Sequence, residues 1–258
     1  MRKAVSPVPV TITALPSWLR HDDEFSRLIK ATDGYVLQVH SLEPPRRPDA
    51  EILLCDPEAA QRWVESASRF GRPFRVALPT YGYVVAFGSG SEIVGVSAEG
   101  PRPSWPRDAA IRVARSDPDA MARLVRNWTE DRPAELAGLI WYRLPAAGDR
   151  LNWPWPAFRA VLEGRAPRRE LQTVRREPEP GLIEIDLVNA GETEMPWPSP
   201  VDFRWKEGEM LAADGLAGYQ VHPAGPRGIR LQRGASAWDR PLRPGERRMV
   251  AWLRLGVP

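Results

Sequence analysis

The chain has 258 residues, 27% of them charged and 43% hydrophobic, with a formal net charge of +3, which is enough chain to bury a core in one large domain or two modest ones. No apolar run approaches the ~20 residues that a membrane-spanning helix requires, and a single cysteine, Cys55, excludes an internal disulfide and a cysteine-rich zinc site. Nearly all the positive charge is arginine dispersed among acidic residues, with lysine only at Lys3, Lys30 and Lys206, so the basic balance reads as compositional bias and no nucleic-acid partner is expected.

The basic start Met1-Arg2-Lys3 runs into Ser6-Pro7-Val8-Pro9, and the prolines deny it the continuous apolar stretch of a signal peptide. The chain as given is therefore expected in the cytoplasm, or outside it if it is a fragment of an exported protein. Val10 to Leu15 reads as a strand stopped by Pro16. Asp22, Asp23 and Glu24 suit the positive end of a helix whose apolar face is Phe25, Leu28 and Ile29. Asp33-Gly34 is a turn, and Tyr35 to His40 is a second strand with Gln38 and His40 on one face. Cys55 ends the apolar run Ile52-Leu53-Leu54 and reads as a buried structural thiol.

Asp56-Pro57-Glu58 is a helix start, a capping carboxylate followed by proline at the first helical position. Trp63, Val64, Ala67 and Phe70 follow at helical spacing, and Gly71 ends the helix. Phe74-Arg75-Val76-Ala77-Leu78 then has the length and character of a buried strand, left through Pro79 into Tyr81-Gly82-Tyr83. Strand, helix, strand predicts a parallel sheet with crossover helices, and aromatics at the end of such a strand belong to a binding face.

Residues 88–110, rich in Gly, Ser and Pro, are expected to be a long irregular excursion. Within it, Gly95-Val96-Ser97-Ala98-Glu99-Gly100 misses the G-x-S-x-G elbow by one position and is not read as a nucleophile site. Ile111 to Ala114 is a short strand. Asp117-Pro118 repeats the helix start, with Met121, Leu124, Val125 and Trp128 on one face, and Gly138 to Leu144 is a further strand closed by Pro145. A helix carrying Phe158, Val161 and Leu162 ends at Gly164.

From Leu171 the pattern changes to alternation, as in Leu182 to Val188, Val201 to Trp205, Gly228 to Gln232 and Met249 to Leu255. The expected organisation is α/β plus all-β: an α/β domain over 1–168 and an antiparallel, immunoglobulin-like β-sandwich over 169–258. The cluster Arg165-Ala166-Pro167-Arg168-Arg169 marks the solvated junction. Eleven tryptophans, several beside proline or tyrosine, supply either aromatic platforms for ligands or ordinary packing.

The order of elements and four motifs carry a resemblance. Gln38-Val39-His40-Ser41 takes the place of a Met-x-Tyr-Asp motif. Leu78-Pro79-Thr80-Tyr81-Gly82-Tyr83 resembles a Gly-(Ile/Leu)-Pro-x-Tyr-Gly-Arg motif. Gly138-Leu139-Ile140-Trp141 resembles a strand that ends in the floor of a sugar site, and Thr11 to Pro16 resembles the strand that opens this half. All four belong to the second half of the barrel of family-18, chitinase-like glycoside hydrolases. Taken whole, and on Leu37-Gln38-Val39-His40, Ala77 to Gly82 and Trp141-Tyr142-Arg143-Leu144-Pro145, the chain resembles a bacterial family described as domain of unknown function 3142.

The resemblance implies a partial (half) TIM-like (β/α) barrel ahead of the sandwich, and carbohydrate recognition or processing. The catalytic stretch of those hydrolases, Asp-x-x-Asp-x-Asp-x-Glu, does not occur in this chain, and His40 and Ser41 replace the tyrosine and aspartate of the sixth strand. No catalytic residue is assigned. The alternative function is a non-catalytic binding or scaffold protein, or an inactive C-terminal fragment of a longer enzyme. The expected substrate-binding residues are Gln38, His40, Tyr81, Trp141 and Arg143. For Trp141 the choice lies between a stacking floor and core, and for Arg143 between a structural and a ligand carboxylate. His40 is either an acid–base group near neutrality or an ordinary hydrogen-bonded histidine. No cofactor is expected, and no metal, since His21, His40 and His222 are dispersed. Half a barrel leaves open edges and an uncovered inner face, so a missing N-terminal half or a second copy of the chain is the expected partner, beside a carbohydrate ligand.

Overall fold

The structure, a computed structural model, describes residues 8–41, 50–90, 92–99, 104–234 and 240–256. Met1 to Pro7 and Gly100, on which parts of the sequence reading fall, lie outside them. The protein is a mixed α/β fold with several sheets and few helices, divided into two compact units, Met1–Ala166 and Pro167–Pro258.

In the first unit β1 (Thr11–Ala14) runs into a 3₁₀ turn (Pro16–Arg20) and α1 (Asp22–Lys30). Next come β2 (Gly34–Gln38), α2 (Pro57–Ser68) and β3 (Phe74–Pro79). Three strands then intervene, β4 (Gly82–Phe87), β5 (Ile93–Ser97) and β6 (Ala110–Arg115), before α3 (Pro118–Glu130), β7 (Leu136–Tyr142) and α4 (Trp155–Leu162). The two Asp-Pro helix starts form as their chemistry dictates. The Asp56 carboxylate accepts from the amides of Glu58 (2.9 Å) and Ala59 (3.1 Å), and Asp117 accepts from Asp119 (2.9 Å), each satisfying amides that the first helical turn leaves without partners.

Strands β1, β2, β3 and β7 pair in parallel in that order. Because side chains alternate along a strand, Tyr35, Leu37 and Val39 share a face with Phe74, Val76 and Leu78. That face meets Phe25 and Ile29 of α1, Val64 of α2, Met121 and Trp128 of α3 and Phe158 of α4 in one core. Phe25 sits edge-on to Tyr35 and Phe70, with centroids 5.2 and 4.9 Å apart. The alternate positions Thr13, Arg75, Ile140 and Tyr142 remain exposed. The helices therefore cover one face of the sheet only.

The stretch 88–110, expected to be irregular, contributes one strand, β5, to a second sheet, whose β6 covers the strand expected at Ile111 to Ala114. Strands β5, β4 and β6 pair antiparallel, with Val84 opposite Ser97 and Gly82 opposite Arg115. Val85 and Phe87 close a small core with Ile52, Leu54, Tyr81 and Ala114. Glycine misled the sequence reading here. A Cβ at Gly95 would lie 2.6 Å from the Trp105 indole nitrogen, and one at Gly82 would lie 2.6 Å from the Ala114 carbonyl oxygen, so each glycine admits a close neighbour within a strand rather than marking a loop.

The second unit holds β8 (Leu171–Glu179), β9 (Leu182–Asn189), β10 (Val201–Arg204), β11 (Met210–Gly215), β12 (Tyr219–Pro223), β13 (Gly228–Arg233) and β14 (Arg247–Leu255). They form two antiparallel sheets, ordered β11-β14-β9-β8 and β10-β13-β12. Ile183, Ile185, Leu187, Ile229, Leu231, Val250 and Leu253 are buried together. Asp186, fully buried, is held by Arg176 at 2.6 Å and Arg247 at 3.8 Å. No helix of the described residues is long and apolar enough to cross a membrane.

Candidate functional site

A cleft of about 280 Å³ opens where β1 and β2 end, lined by Leu15, Pro16, Ser17, Arg20, Gln38, Val39, His40, Ser41 and Trp63. Its walls follow from the local sequence. Pro16 stops β1 and starts the 3₁₀ turn that carries Ser17 and Arg20, the half-buried Trp63 stands on α2, and Gln38 closes β2. The carboxyl ends of parallel strands are where α/β folds gather ligands, because loops there are free to vary above a rigid sheet.

Gln38 and His40 are brought together in this cleft. The Gln38 amide donates to the His40 carbonyl at 3.1 Å, fixing the chain just past the strand. The His40 ring is buried and shares one hydrogen bond between Nδ1 and the Tyr81 hydroxyl at 3.1 Å. It also stacks on the exposed Tyr142 ring, with centroids 5.8 Å apart and planes at 21°. Burial lowers the His40 pKa from 6.5 to about 4, so the ring is neutral at pH 7. Burial, with smaller contributions from Tyr83, Tyr142 and Cys55, raises the Tyr81 phenol, which stays protonated. Tyr81 itself is not exposed as its position at a strand end suggested. It is 8% accessible and packs edge-on to Tyr83 and Tyr142. The buried Cys55 thiol is pushed up to about 12, by burial first and by Asp56 second, and is no nucleophile at neutral pH.

Trp141 and Arg143 lie at the end of β7. Trp141 is half-buried on the helix side, edge-on to Phe158 at 5.4 Å and tilted against Trp153 at 6.0 Å. Arg143 pairs with Asp149 at 2.7 Å. Burial acts to raise the Asp149 carboxyl, but hydrogen bonds from the Ala146 amide, Asn152 and Arg143, with the Arg143 charge, hold it below the usual carboxylate range. The same loop is tied to Thr80, whose hydroxyl donates to the Arg143 carbonyl and whose carbonyl accepts from the Trp153 amide at 3.0 Å. Glu99 adds a clamp, its carboxylate accepting from the amides of Arg150, Leu151 and Asn152 at 2.5–2.9 Å.

The cleft can hold a small polar ligand with one flat apolar side: Trp63 offers a ring, Gln38 an amide, Ser17 and Ser41 hydroxyls, and Arg20 a guanidinium. Among the described residues, none of those lining it is a carboxylate. Among the described residues no group of three or more His, Cys, Asp or Glu is placed to hold a metal. Trp63, Arg20 and Tyr142 were missed in the sequence. Trp63 fits the helical spacing of a core residue, and Arg20 has no pattern of its own. The available signal was position, since the residues just after the first two parallel strands supply most of the cleft.

Two solved structures are similar in part. Chitinase ChiA74 from Bacillus thuringiensis aligns at 10% identity and a TM-score of 0.38, over 97% of this chain and 64% of that one. A family GH18 chitinase from Chromobacterium violaceum aligns at 10% identity and a TM-score of 0.36, over 96% of this chain and 57% of that one. The chain thus spans less than two thirds of the length of either. No curated protein matches it. Residues 172–256 match the model of a domain of unknown function (DUF8456). Residues 1–147, more than half of the 258, match the model of a domain of unknown function (DUF3142), and the chain belongs to that family.

Proposed function

We propose that the chain recognises a carbohydrate in the cleft above β1 and β2 of a first unit that is half of a (β/α) barrel, and that its second unit is an immunoglobulin-like sandwich. The observation that carries this is the lining itself, an indole and an imidazole ring among an amide, two hydroxyls and a guanidinium. A sugar ring needs that mixture: an apolar C–H face to stack and hydroxyls around it to hydrogen-bond. The half-barrel reading is supported by strand order, because parallel strands that follow one another in sequence and in space wind as a barrel does, whereas doubly wound sheets reverse. The motifs at Leu78 to Gly82 and Gly138 to Trp141 point the same way. The sandwich reading is supported by seven strands in sheets of four and three.

Glycoside hydrolysis takes a protonated carboxyl at the scissile oxygen. The described lining offers none, so this reading is one of binding, and cleavage would take an acid supplied by other residues. Gln38 and His40 face the ligand in this account together with Trp63, Arg20, Ser17 and Ser41, Tyr81 holds the His40 ring, and Trp141 and Arg143 support the neighbouring strand end. Titration of the ¹⁵N-labelled chain with sugars and oligosaccharides tests this by amide shifts. Shifts are expected at residues 15–20, 38–41 and 63, and shifts confined to the second unit would overturn the assignment.

A second reading has its own observation. Strands β1 and β7 end the parallel sheet, and Ile140 and Tyr142 are exposed on its uncovered face. Further strands, from another copy or a separate N-terminal half, would complete that layer. Sedimentation velocity checks it: self-association is expected if a second copy is the cover, and a monomer at every concentration tested removes the second copy.

A further inference from the structure

Among the described residues, Arg20 is the one charged residue lining the cleft, since His40 is neutral at pH 7. It is exposed at the end of the 3₁₀ turn, and among the described residues it has no ion pair and no side-chain hydrogen bond. Other arginines of the chain are engaged: Arg143 with Asp149, Arg176 with Asp186, Arg230 with Asp202. Asp22, Asp23 and Glu24 follow Arg20 after His21, yet the only one of them in an ion pair among the described residues is Glu24, which reaches Arg27 at 3.5 Å. The guanidinium therefore remains available in a cleft whose other described polar groups are neutral.

Size narrows the occupant. At about 280 Å³ the cleft lies just under the ~300–1,000 Å³ typical of drug-sized ligand pockets, so it suits one sugar ring rather than a chain of them. A guanidinium has five donors in a planar fork that matches a carboxylate, phosphate or sulfate.

We propose that the cleft selects a saccharide unit carrying one anionic group, with Arg20 binding that group, Trp63 stacking on the ring and Gln38 and the serine hydroxyls taking its hydroxyls. This specificity rests on the saccharide reading of the cleft. The ligand chemistry is an acidic sugar, whether a uronic acid or a sugar phosphate. Arg20 is the specificity-determining residue.

The test is calorimetric or NMR titration of the intact chain with methyl glucuronide, methyl glucoside, glucose 6-phosphate and inorganic phosphate, at low and moderate salt. An ion-assisted hydrogen bond at a surface cleft predicts about tenfold tighter binding of the glucuronide than of the glucoside. That preference weakens as salt rises. Arg20→Gln brings the glucuronide down to the glucoside, whereas Arg27→Gln, on α1 and outside the cleft, keeps the preference. Glucose 6-phosphate bound ahead of the glucuronide makes the anionic group a phosphate ester. Equal affinity for glucuronide and glucoside overturns the acidic-sugar specificity and leaves saccharide binding standing. Inorganic phosphate bound while none of the sugars bind, or no binding at all, overturns both.

Discussion

His40 places a titratable ring where solvent cannot support its charge, at the floor of the cleft and against Tyr81 and Tyr142. Its pKa falls from 6.5 to about 4 in the folded chain, so on acidification the unfolded state takes up the proton first. The stability it contributes is complete above pH ~6.5 and is lost as pH falls toward 4, by about 2–3 kcal/mol over the window. Urea midpoints at pH 7.5, 5.5 and 4.5 are expected to fall steeply in the parent chain and less steeply in His40→Asn. Equal slopes would mean that the folded ring accepts the proton freely. The lowered carboxyl of Asp149 acts at more acidic pH, its stabilisation being lost only as pH falls through its folded value, below the ordinary 3.8. Asp149→Ala leaves Arg143, Asn152 and the Ala146 amide short of an acceptor, and is expected to cost about 1–3 kcal/mol by denaturant unfolding at pH 7. An unchanged midpoint would show that water replaces the carboxylate without loss. At this scale, Gln38 and His40 were legible because two polar residues with alternate spacing end an apolar strand. Arg20 and Trp63 were not, because what brings them to one cleft is the packing of the 3₁₀ turn over α2, which leaves no trace in spacing.

Among the elements, those with strong local chemistry were read and those held by neighbours were not. The Asp-Pro starts fixed α2 and α3, and the short apolar runs Tyr35 to Leu37 and Val76 to Leu78 marked β2 and β3. Strand β8 has almost no apolar face, being mostly exposed with Arg175, Arg176 and Glu177 in its middle, and β11 exposes Leu211. Their backbone pairing to β9 and β14 defines them instead of any pattern. Of the β4–β6 sheet only β6 was read, at Ile111 to Ala114, whereas Gly82 and Gly95 hid β4 and β5, and Gly82 makes the physical point testable. With the Ala114 carbonyl 2.6 Å and the Leu151 carbonyl 3.1 Å from where a Cβ would sit, Gly82→Ala cannot be absorbed by a flexible side chain. A loss of about 1–3 kcal/mol is expected, together with loosening of Tyr81 against His40. A variant as stable as the parent would show that the β4–β6 pairing yields easily.

For the whole molecule, each unit carries its own core, one built around a parallel sheet with helices on a single face and one between two antiparallel sheets. Fold alone does not carry function, and what points to carbohydrate is the chemistry collected at the ends of β1 and β2. That claim is most directly tested by calorimetric affinities for one saccharide ligand measured on the intact chain, on Gln38→Ala and on Trp63→Ala, with folding of each verified by circular dichroism. Loss of the stacking ring is expected to weaken binding about tenfold or more, in line with the ~2 kcal/mol or more that truncating a central tryptophan costs a binding surface, and loss of the amide by a smaller factor. Saccharide affinity equal in all three chains, or absent in the intact one, would contradict the account.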